Sequence, residues 1–110
     1  MPERFAIEWA PVAYRDMDRL IDYIAANDCV EAAIQVHDRI LHEIDKLNSF
    51  PERCRIPPEL RETGIRDFRE LVISPYSVFF RIVGRSVAIV GVLDRRRDLD
   101  EILLQRLLVP

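Results

Sequence analysis

Apolar and polar positions change their period near the start of this chain of 110 residues. Phe5, Ile7 and Trp9 alternate with intervening residues, and this alternation predicts a short strand. From Pro11 onward, apolar residues recur at helical spacing as far as Ile24, with charged residues on the opposite face. Proline suits the first turn of a helix, because that position needs no N–H donor. The pattern therefore predicts a strand followed directly by an amphipathic helix.

A second helix is predicted after a polar interruption at Asn27 and Asp28. Asp28 followed by Glu31 has the pattern of a capping box, which predicts that Asp28 caps this helix. Apolar residues at helical spacing continue to Leu47, and Phe50-Pro51 ends the helix. Because only a few residues link the two helices, we expect them to pack as an antiparallel hairpin.

The next segment, 51–64, holds three prolines and little periodicity, so we expect a loop with one helical turn near Glu59–Arg61. Beyond it, three apolar runs separated by Ser-Pro and Gly-Arg predict an antiparallel meander. Gly84 can adopt the positive φ that a short hairpin loop needs. The three strands are predicted at Asp67–Ser74, Ser77–Val83 and Ser86–Leu93.

A third helix is predicted at Leu99–Leu108, where Asp98 could act as the cap. The resulting order is β-α-α-β-β-β-α, in a single domain over residues 1–110. A helical hairpin that covers one face of an antiparallel sheet makes an α+β two-layer domain. We expect the other face of the sheet to stay partly open, where a partner could lie.

Charge is distributed unevenly along the chain, although its formal net charge is only −3. Of its 16 basic residues 15 are arginines, and residues 61–97 hold eight arginines against four acidic residues. Arginine presents a planar fork that pairs with carboxylate or phosphate, so this segment could hold an acidic peptide or a phosphate backbone. A solvated surface that reflects only the base composition of the gene remains the alternative for any single arginine.

Several kinds of site and location are not expected from the residue types. No apolar run is long enough to span a bilayer, and the acidic N-terminal residues do not resemble a secretory signal. Cys29 and Cys54 lack Cys-x-x-Cys spacing, so we expect free thiols in a reducing cytoplasm. His37 and His42 lie on the second predicted helix without facing one way, so we expect no metal site, and we expect no cofactor.

From Phe5 to about Asp98, the order and spacing of many short elements follow one family pattern. The elements are Trp9-Ala10 before an amphipathic helix, Tyr23-Ile24-Ala25, Ala32-Ala33, Ile40, Phe50-Pro51, Glu59-Leu60-Arg61, Arg69-Glu70-Leu71, Tyr76, Phe80-Arg81-Ile82, Val87 through Val92, and Arg95-Arg96-Arg97-Asp98. With them the chain resembles the ParE/RelE toxin superfamily. Its members are the toxic half of type II toxin–antitoxin modules and are often labelled plasmid stabilisation proteins.

Within that superfamily the chain resembles ParE more than RelE. RelE-like members cut messenger RNA in the ribosome and use a late Tyr or His in proton transfer. Here no Tyr or His follows Tyr76, and Asp94 stands where many relatives have histidine. Acid–base cleavage needs a group that titrates near neutrality, which arginine does not supply. The resemblance therefore implies a ParE-like toxin that inhibits DNA gyrase and has no catalytic residue.

Two alternatives stay open beside this interpretation. One is a ribosome-dependent mRNA interferase in which Arg69, Arg81 and Arg95 stabilise the transition state. The other is a degenerate, non-toxic member that only binds its antitoxin.

The resemblance also implies two binding surfaces. Arg95, Arg96 and Arg97 would engage the target, and we expect them to be exposed because packing does not explain them. A cognate antitoxin, of the ribbon-helix-helix DNA-binding type, would bind with an acidic tail and would be the only link to operator DNA. The residues assigned to it are Arg69, Arg81, Met17, Leu20 and Ile24.

Some of these arginines have specific structural expectations. Strand alternation would send Arg96 to the face opposite Arg95 and Arg97. Arg81 lies inside an apolar run, and its structural alternative is an ion pair with Glu70 or Asp94 across the sheet.

Overall fold

The structure, a computed structural model, describes residues 4–108, with side chains as far as Arg106. Its elements follow the predicted order, and α3 has the predicted bounds. The strands are β1 (Ala6–Trp9), β2 (Phe68–Ile73), β3 (Tyr76–Val83) and β4 (Ser86–Asp94); the helices are α1 (Pro11–Asn27), α2 (Val30–Asp45) and α3 (Leu99–Leu108). Short 3-10 turns lie at Lys46–Asn48, Pro51–Arg53 and Pro58–Leu60, so the one turn predicted in the loop is joined there by a second.

The four strands form one sheet in the order β1-β4-β3-β2. The meander β2-β3-β4 is antiparallel, as predicted. β1 joins it in parallel on β4, with Ile7 opposite Val87 and Trp9 opposite Ile89, a pairing that periodicity alone does not indicate. Because β1 is only 4 residues long against 9 in β4, it lies beside only the first part of that strand.

The two long helices pack as a hairpin on one face of the sheet, as predicted. Their apolar stripes meet the strand residues that point to that face. The central contributors are Ala13 and Met17 of α1, Ile40 and Ile44 of α2, and Val78, Phe80, Val87 and Ile89 of the strands.

The predicted N-cap of α2 is wrong by one residue. Cys29 is the cap, and its Sγ accepts a hydrogen bond from Ala32 N at 3.4 Å. The N–H of Asp28 donates instead to Ile24 O and closes α1. One residue cannot finish the first helix and also adopt the extended backbone of a cap, so the second helix begins one position later.

The second face of the sheet, which we expected to stay partly open, is covered over part of its area. Phe79 and Leu93 point to this face and pack against Leu60 of the loop and against Leu99 and Leu103 of α3. This contact buries Leu99 and Leu103, which favours the folding of α3 back onto the strands.

No helix within residues 4–108 is long and apolar enough to cross a membrane. Cys29 is exposed and Cys54 is buried, and both are free thiols. Burial raises the pKa of the Cys54 thiol, against the opposing charges of Arg53 and Arg69.

Candidate functional site

An open groove of about 710 Å³ lies between α1 and α3, beside the second half of β4. Its charged lining residues are Arg19, Arg96, Arg97, Arg106, Asp16 and Asp94. Apolar surface comes from Leu20, Tyr23, Val92, Leu93 and Ile102. More guanidinium groups than carboxylates, next to apolar surface, suit an acidic and partly apolar segment of another protein. We call this feature the α1–α3 groove.

The groove lies where β1 no longer covers β4. β1 ends opposite Ile89, and among the described residues no strand continues on that side of β4, whose other side is paired with β3. Two helices supply partners for the edge instead. Asp16 Oδ2 accepts from Val92 N at 3.0 Å, and Arg106 Nη1 donates to Val90 O at 3.1 Å. An unpaired buried backbone group costs about 1–3 kcal/mol, so these side chains protect the edge of the sheet.

Asp16 and Arg106 also bind each other across this edge. Nη1 lies 2.5 Å from Oδ2, and Nη2 lies 2.7 Å from Oδ1, which makes the pair bidentate. The Asp16 side chain is 6% exposed and that of Arg106 is 20% exposed. Gly91 leaves room for the guanidinium, because a Cβ there would lie 2.9 Å from Nη1. The pair therefore ties α3 to α1 and forms one wall of the α1–α3 groove.

Arg96 and Arg97 are exposed where the chain leaves β4. The Asp94 carboxylate accepts from Arg96 N at 2.9 Å and from Arg96 Nη2 at 2.5 Å. The side-chain hydrogen bond with Arg96 lowers the pKa of Asp94 below its ordinary value. Asp94 therefore acts as an acceptor that orients an exposed arginine.

Arg95 lies in a different environment, and the expectation that the whole run is exposed is wrong for this residue. Its side chain is 23% exposed and reaches inward to the Glu70 carboxylate, while Nη2 donates to Glu59 Oε2 at 2.8 Å. β4 ends at Asp94, so strand alternation does not extend into the turn and Arg97 does not share the side of Arg95.

Glu70 is a fully buried charge within a small network. Its Oε1 accepts from Arg55 Nε at 2.9 Å, and its Oε2 accepts from Ser77 Oγ at 2.5 Å and from Arg95. A buried carboxylate is costly unless it is paired, and these bonds account for its burial. We call Arg55, Glu59, Glu70, Ser77 and Arg95 the Glu70 cluster; it joins the 51–64 segment to β2, to β3 and to the turn that follows β4.

Arg69 has a structural role at the start of β2. Its Nη1 donates to Glu52 O and to Cys54 O, both at 2.8 Å, which holds the 51–64 segment against the strand. In the register of β2 and β3, Arg69 lies opposite Phe80, whose side chain belongs to the helix-covered face.

Arg81 lies on the other face of the sheet. It is paired with Phe68, one position from the Arg69–Phe80 pair, and successive residues of a strand point to opposite faces. Its guanidinium stands 5.5 Å from the centre of the Phe68 ring, a cation–π contact, so the ion pair expected for it with Glu70 or Asp94 is not formed. The three arginines of the cleavage alternative are therefore not assembled at one site.

The apolar residues assigned to the antitoxin lie at different depths. Met17 is 6% exposed and belongs to the core, whereas Leu20 and Ile24 are half-buried against it. Only Leu20 of the three lines the α1–α3 groove. A second groove of about 440 Å³, bounded by the stacked rings of Trp9 and Tyr14, runs along the helical hairpin and includes Met17.

The possible metal ligands in the part of the chain that the structure describes do not form a metal-binding cluster. No group of three or more His, Cys, Asp or Glu side chains within residues 4–108 could hold a metal ion. His37 Nδ1 lies 3.1 Å from Asp38 Oδ1 on α2, and His42 is exposed on the same helix.

The sequence pattern did not predict a functional role for several residues of the site. Asp16 resembles any other polar residue of an amphipathic helix, and Arg106 any charged residue of a terminal helix. Glu70 offered one signal, since it stands among apolar residues of a predicted strand, where a charge needs a partner.

Three comparisons bear on the identity of the chain. Residues 7–99 match the family described as the ParE toxin of the type II toxin–antitoxin system, parDE. The chain is 32% identical over 84 residues to Toxin ParE3 of Caulobacter vibrioides, a match that covers 76% of this chain and 80% of that protein. The fold is similar to a solved structure titled chromosomal ParDE TA system from P. aeruginosa. That similarity has a TM-score of 0.69 and 19% identity, and covers 83% of this chain and 96% of the other.

Proposed function

Because this chain belongs to the ParE toxin family of type II toxin–antitoxin systems, we propose that it inhibits DNA gyrase by binding and that a cognate antitoxin neutralises it. The observation that carries this proposal is the exposed pair Arg96 and Arg97, held on a turn at the α1–α3 groove. The Arg97 guanidinium, and the Arg96 Nη1 that Asp94 leaves unbonded, can donate to carboxylates of a partner without any chemistry of their own.

The positions of Arg69, Arg81 and Arg95 argue against the interferase alternative. Arg69 is bonded to two backbone carbonyls, Arg81 lies on the opposite face of the sheet, and Arg95 is bound to carboxylates. A transition state needs groups that converge on one point, and these three do not. Inhibition by binding therefore fits the geometry better than cleavage.

We further propose that the antitoxin places an acidic and partly apolar tail on the toxin. Leu20 and Tyr23 supply apolar contact in the α1–α3 groove, and Arg19 supplies a cation on the same helix. Opposite charges across an interface would direct the encounter and fix its register. In this proposal the antitoxin is of the ribbon-helix-helix type, and it alone contacts operator DNA. The toxin binds the antitoxin or gyrase in the cytoplasm.

The gyrase proposal is tested by supercoiling of plasmid DNA with purified gyrase and purified toxin. We expect wild-type toxin to inhibit supercoiling and the double variant Arg96→Ala, Arg97→Ala to need about tenfold more protein, which corresponds to about 1.4 kcal/mol. Arg66→Ala, at an exposed position outside the groove, is the matched control and should inhibit fully. Primer extension on a translated transcript runs in parallel. Codon-specific cleavage that is lost in Arg81→Ala would replace the gyrase proposal with the interferase.

The antitoxin proposal is tested by co-expression with a neighbouring open reading frame of the ribbon-helix-helix type. We expect the two chains to remain together during gel filtration at moderate salt, because apolar contact adds to ion pairing. Separation of the two chains under these conditions would show that the tail is not held along the toxin.

A further inference from the structure

The turn that carries Arg96 and Arg97 is held from inside the protein by the residue before it. Arg95 N donates to Pro75 O at 2.9 Å, which ties the main chain to the β2–β3 turn. The Arg95 guanidinium binds Glu70 with one arm and Glu59 with the other. Arg95 is thus fixed by main chain and side chain together, immediately before the exposed pair.

Glu70 is the buried carboxylate that binds the Arg95 guanidinium from inside the fold. Its side chain is fully buried, so it cannot touch a protein that binds to the surface. Its Oε2 accepts from both Arg95 and Ser77, and its Oε1 accepts from Arg55. Its own N–H donates to Arg55 O at 2.8 Å, so Glu70 also holds the segment on which Glu59 lies.

We propose that Glu70 is a positioning residue for the target-binding turn: by fixing Arg95, it presents Arg96 and Arg97 to the partner in one preformed arrangement. This inference rests on the proposed function. Long side chains on a fixed turn lose less freedom on binding than the same side chains on a loose one. Glu70 therefore acts on affinity for the target through Arg95, without contact of its own.

Glu70→Gln is the variant that tests this role, because it keeps the size of the side chain and removes its charge. Both carboxylate oxygens accept from guanidinium groups, and a guanidinium cannot itself accept a hydrogen bond. The amide nitrogen of Gln would therefore face a donor wherever it is placed next to Arg55 or Arg95. Glu62→Gln, at an exposed position of the 51–64 segment, makes the same chemical change and is the matched control.

At a temperature where the variant is folded, we expect Glu70→Gln to weaken gyrase inhibition about tenfold. Antitoxin affinity should fall less than inhibition does, because the tail also contacts Arg19, Leu20 and Tyr23 of α1 in the α1–α3 groove. Glu62→Gln should leave both unchanged. In the Arg96→Ala, Arg97→Ala background, Glu70→Gln should cause no further loss of inhibition, because the side chains that it positions are gone. A purely structural residue would instead add its loss in both backgrounds.

Hydrogen exchange supplies a readout that needs no gyrase. The Arg95 amide, bonded to Pro75 O, should exchange about tenfold faster in Glu70→Gln than in wild type, while core amides of β3 and β4 keep their rates. Unchanged exchange at Arg95 would overturn the inference. If Glu70→Gln does not fold, Arg95→Lys keeps the charge without the fork, and the same changes in exchange and inhibition are expected of it.

The outcomes separate this inference from the proposed function. Full inhibition by the Arg96→Ala, Arg97→Ala variant would overturn the target surface and, with it, the role of Glu70. An inactive double variant together with a fully active Glu70→Gln would overturn only the role of Glu70.

Discussion

Arg106 and Asp16, 90 positions apart in the chain, form a two-bond ion pair over the edge of β4 that β1 leaves uncovered. Each also bonds to the backbone of that edge, Asp16 at Val92 N and Arg106 at Val90 O. Most of α3 lies beyond residues 7–99, which match the family. The pair nevertheless makes this helix part of the fold, because without Arg106 the Val90 carbonyl would lose this partner and the buried Asp16 carboxylate would lose its counter-charge.

Arg106→Ala should therefore destabilise the protein. Asp16 would keep one bond to Val92 N but would lose its counter-charge while 6% exposed. Removing one partner of a buried pair costs about 3–5 kcal/mol; because Arg106 is 20% exposed, we expect about 1–3 kcal/mol. Urea unfolding measures the change. Arg66→Ala, an exposed control, should stay within about 0.5 kcal/mol of wild type, and an equal effect in both would contradict the role of the pair.

Gly91→Ala should interfere with the same ion pair without removing a charge. The new Cβ would meet Arg106 Nη1 at 2.9 Å, so the guanidinium would have to leave its place between Asp16 and Val90. We expect a loss of about 1–2 kcal/mol in the wild-type background and almost none when Arg106 is already Ala. The measurement is a double-mutant cycle by urea unfolding. Equal losses in the two backgrounds would mean that Gly91 serves the strand rather than the guanidinium.

Truncation of Arg95 and of Arg97 should lower the stability of the fold by very different amounts. Arg95→Ala leaves Glu70 buried with one fewer counter-charge, and we expect a loss of about 2–3 kcal/mol, reduced from the fully buried case because Arg95 is 23% exposed. Arg97→Ala removes an exposed side chain and should cost less than about 0.5 kcal/mol. Thermal unfolding of the two single variants decides the matter, and similar midpoints would contradict the separation.

The pKa of Asp94 should depend on Arg96. The hydrogen bond to Arg96 lowers this pKa in the folded protein, so the contact stabilises the fold above the ordinary pKa of a carboxyl group and is lost as the pH falls through the lowered value. In Arg96→Ala the pKa should rise towards its ordinary value, as followed by NMR titration of the carboxyl carbon. Arg97→Ala should raise it less, because Arg97 contributes only through its charge. A pKa that does not move in Arg96→Ala would refute the contact.

The two thiols should differ in reactivity. Cys54 is buried and its pKa is raised by that burial, so both access and the thiolate fraction are low. Cys29 is exposed at the start of α2. With a thiol reagent near pH 8, we expect one thiol per chain to react at once and the second only in denaturant. The single variants Cys29→Ser and Cys54→Ser each keep one thiol. Rapid reaction of Cys54 in the Cys29→Ser variant would show that the 51–64 segment opens readily.

Periodicity along the chain predicts most of the architecture. The alternation up to Trp9, the helical spacing after Pro11 and the three runs around Gly84 depend only on local geometry, which is why the elements and their order agree with the structure. The family resemblance also depends on linear order and spacing, so the sequence alone is enough to show it. The N-cap of α2 could not be placed, because Asp28 fits the capping pattern in the sequence and only the folded end of α1 shows that this residue is already used there.

The roles of the individual arginines depend on tertiary structure. In the chain Arg95, Arg96 and Arg97 are equivalent neighbours, yet only the first turns inward to Glu70. Which carboxylate each arginine meets is decided where strands and helices far apart in the chain come together, over separations of 25 positions for Glu70 and 90 for Asp16. Charge pairing acts over a few ångströms in space and leaves no periodic trace along a sequence. The pattern therefore determined the elements and their family, and the packing alone decided which charges hold the fold and which stay exposed at the surface.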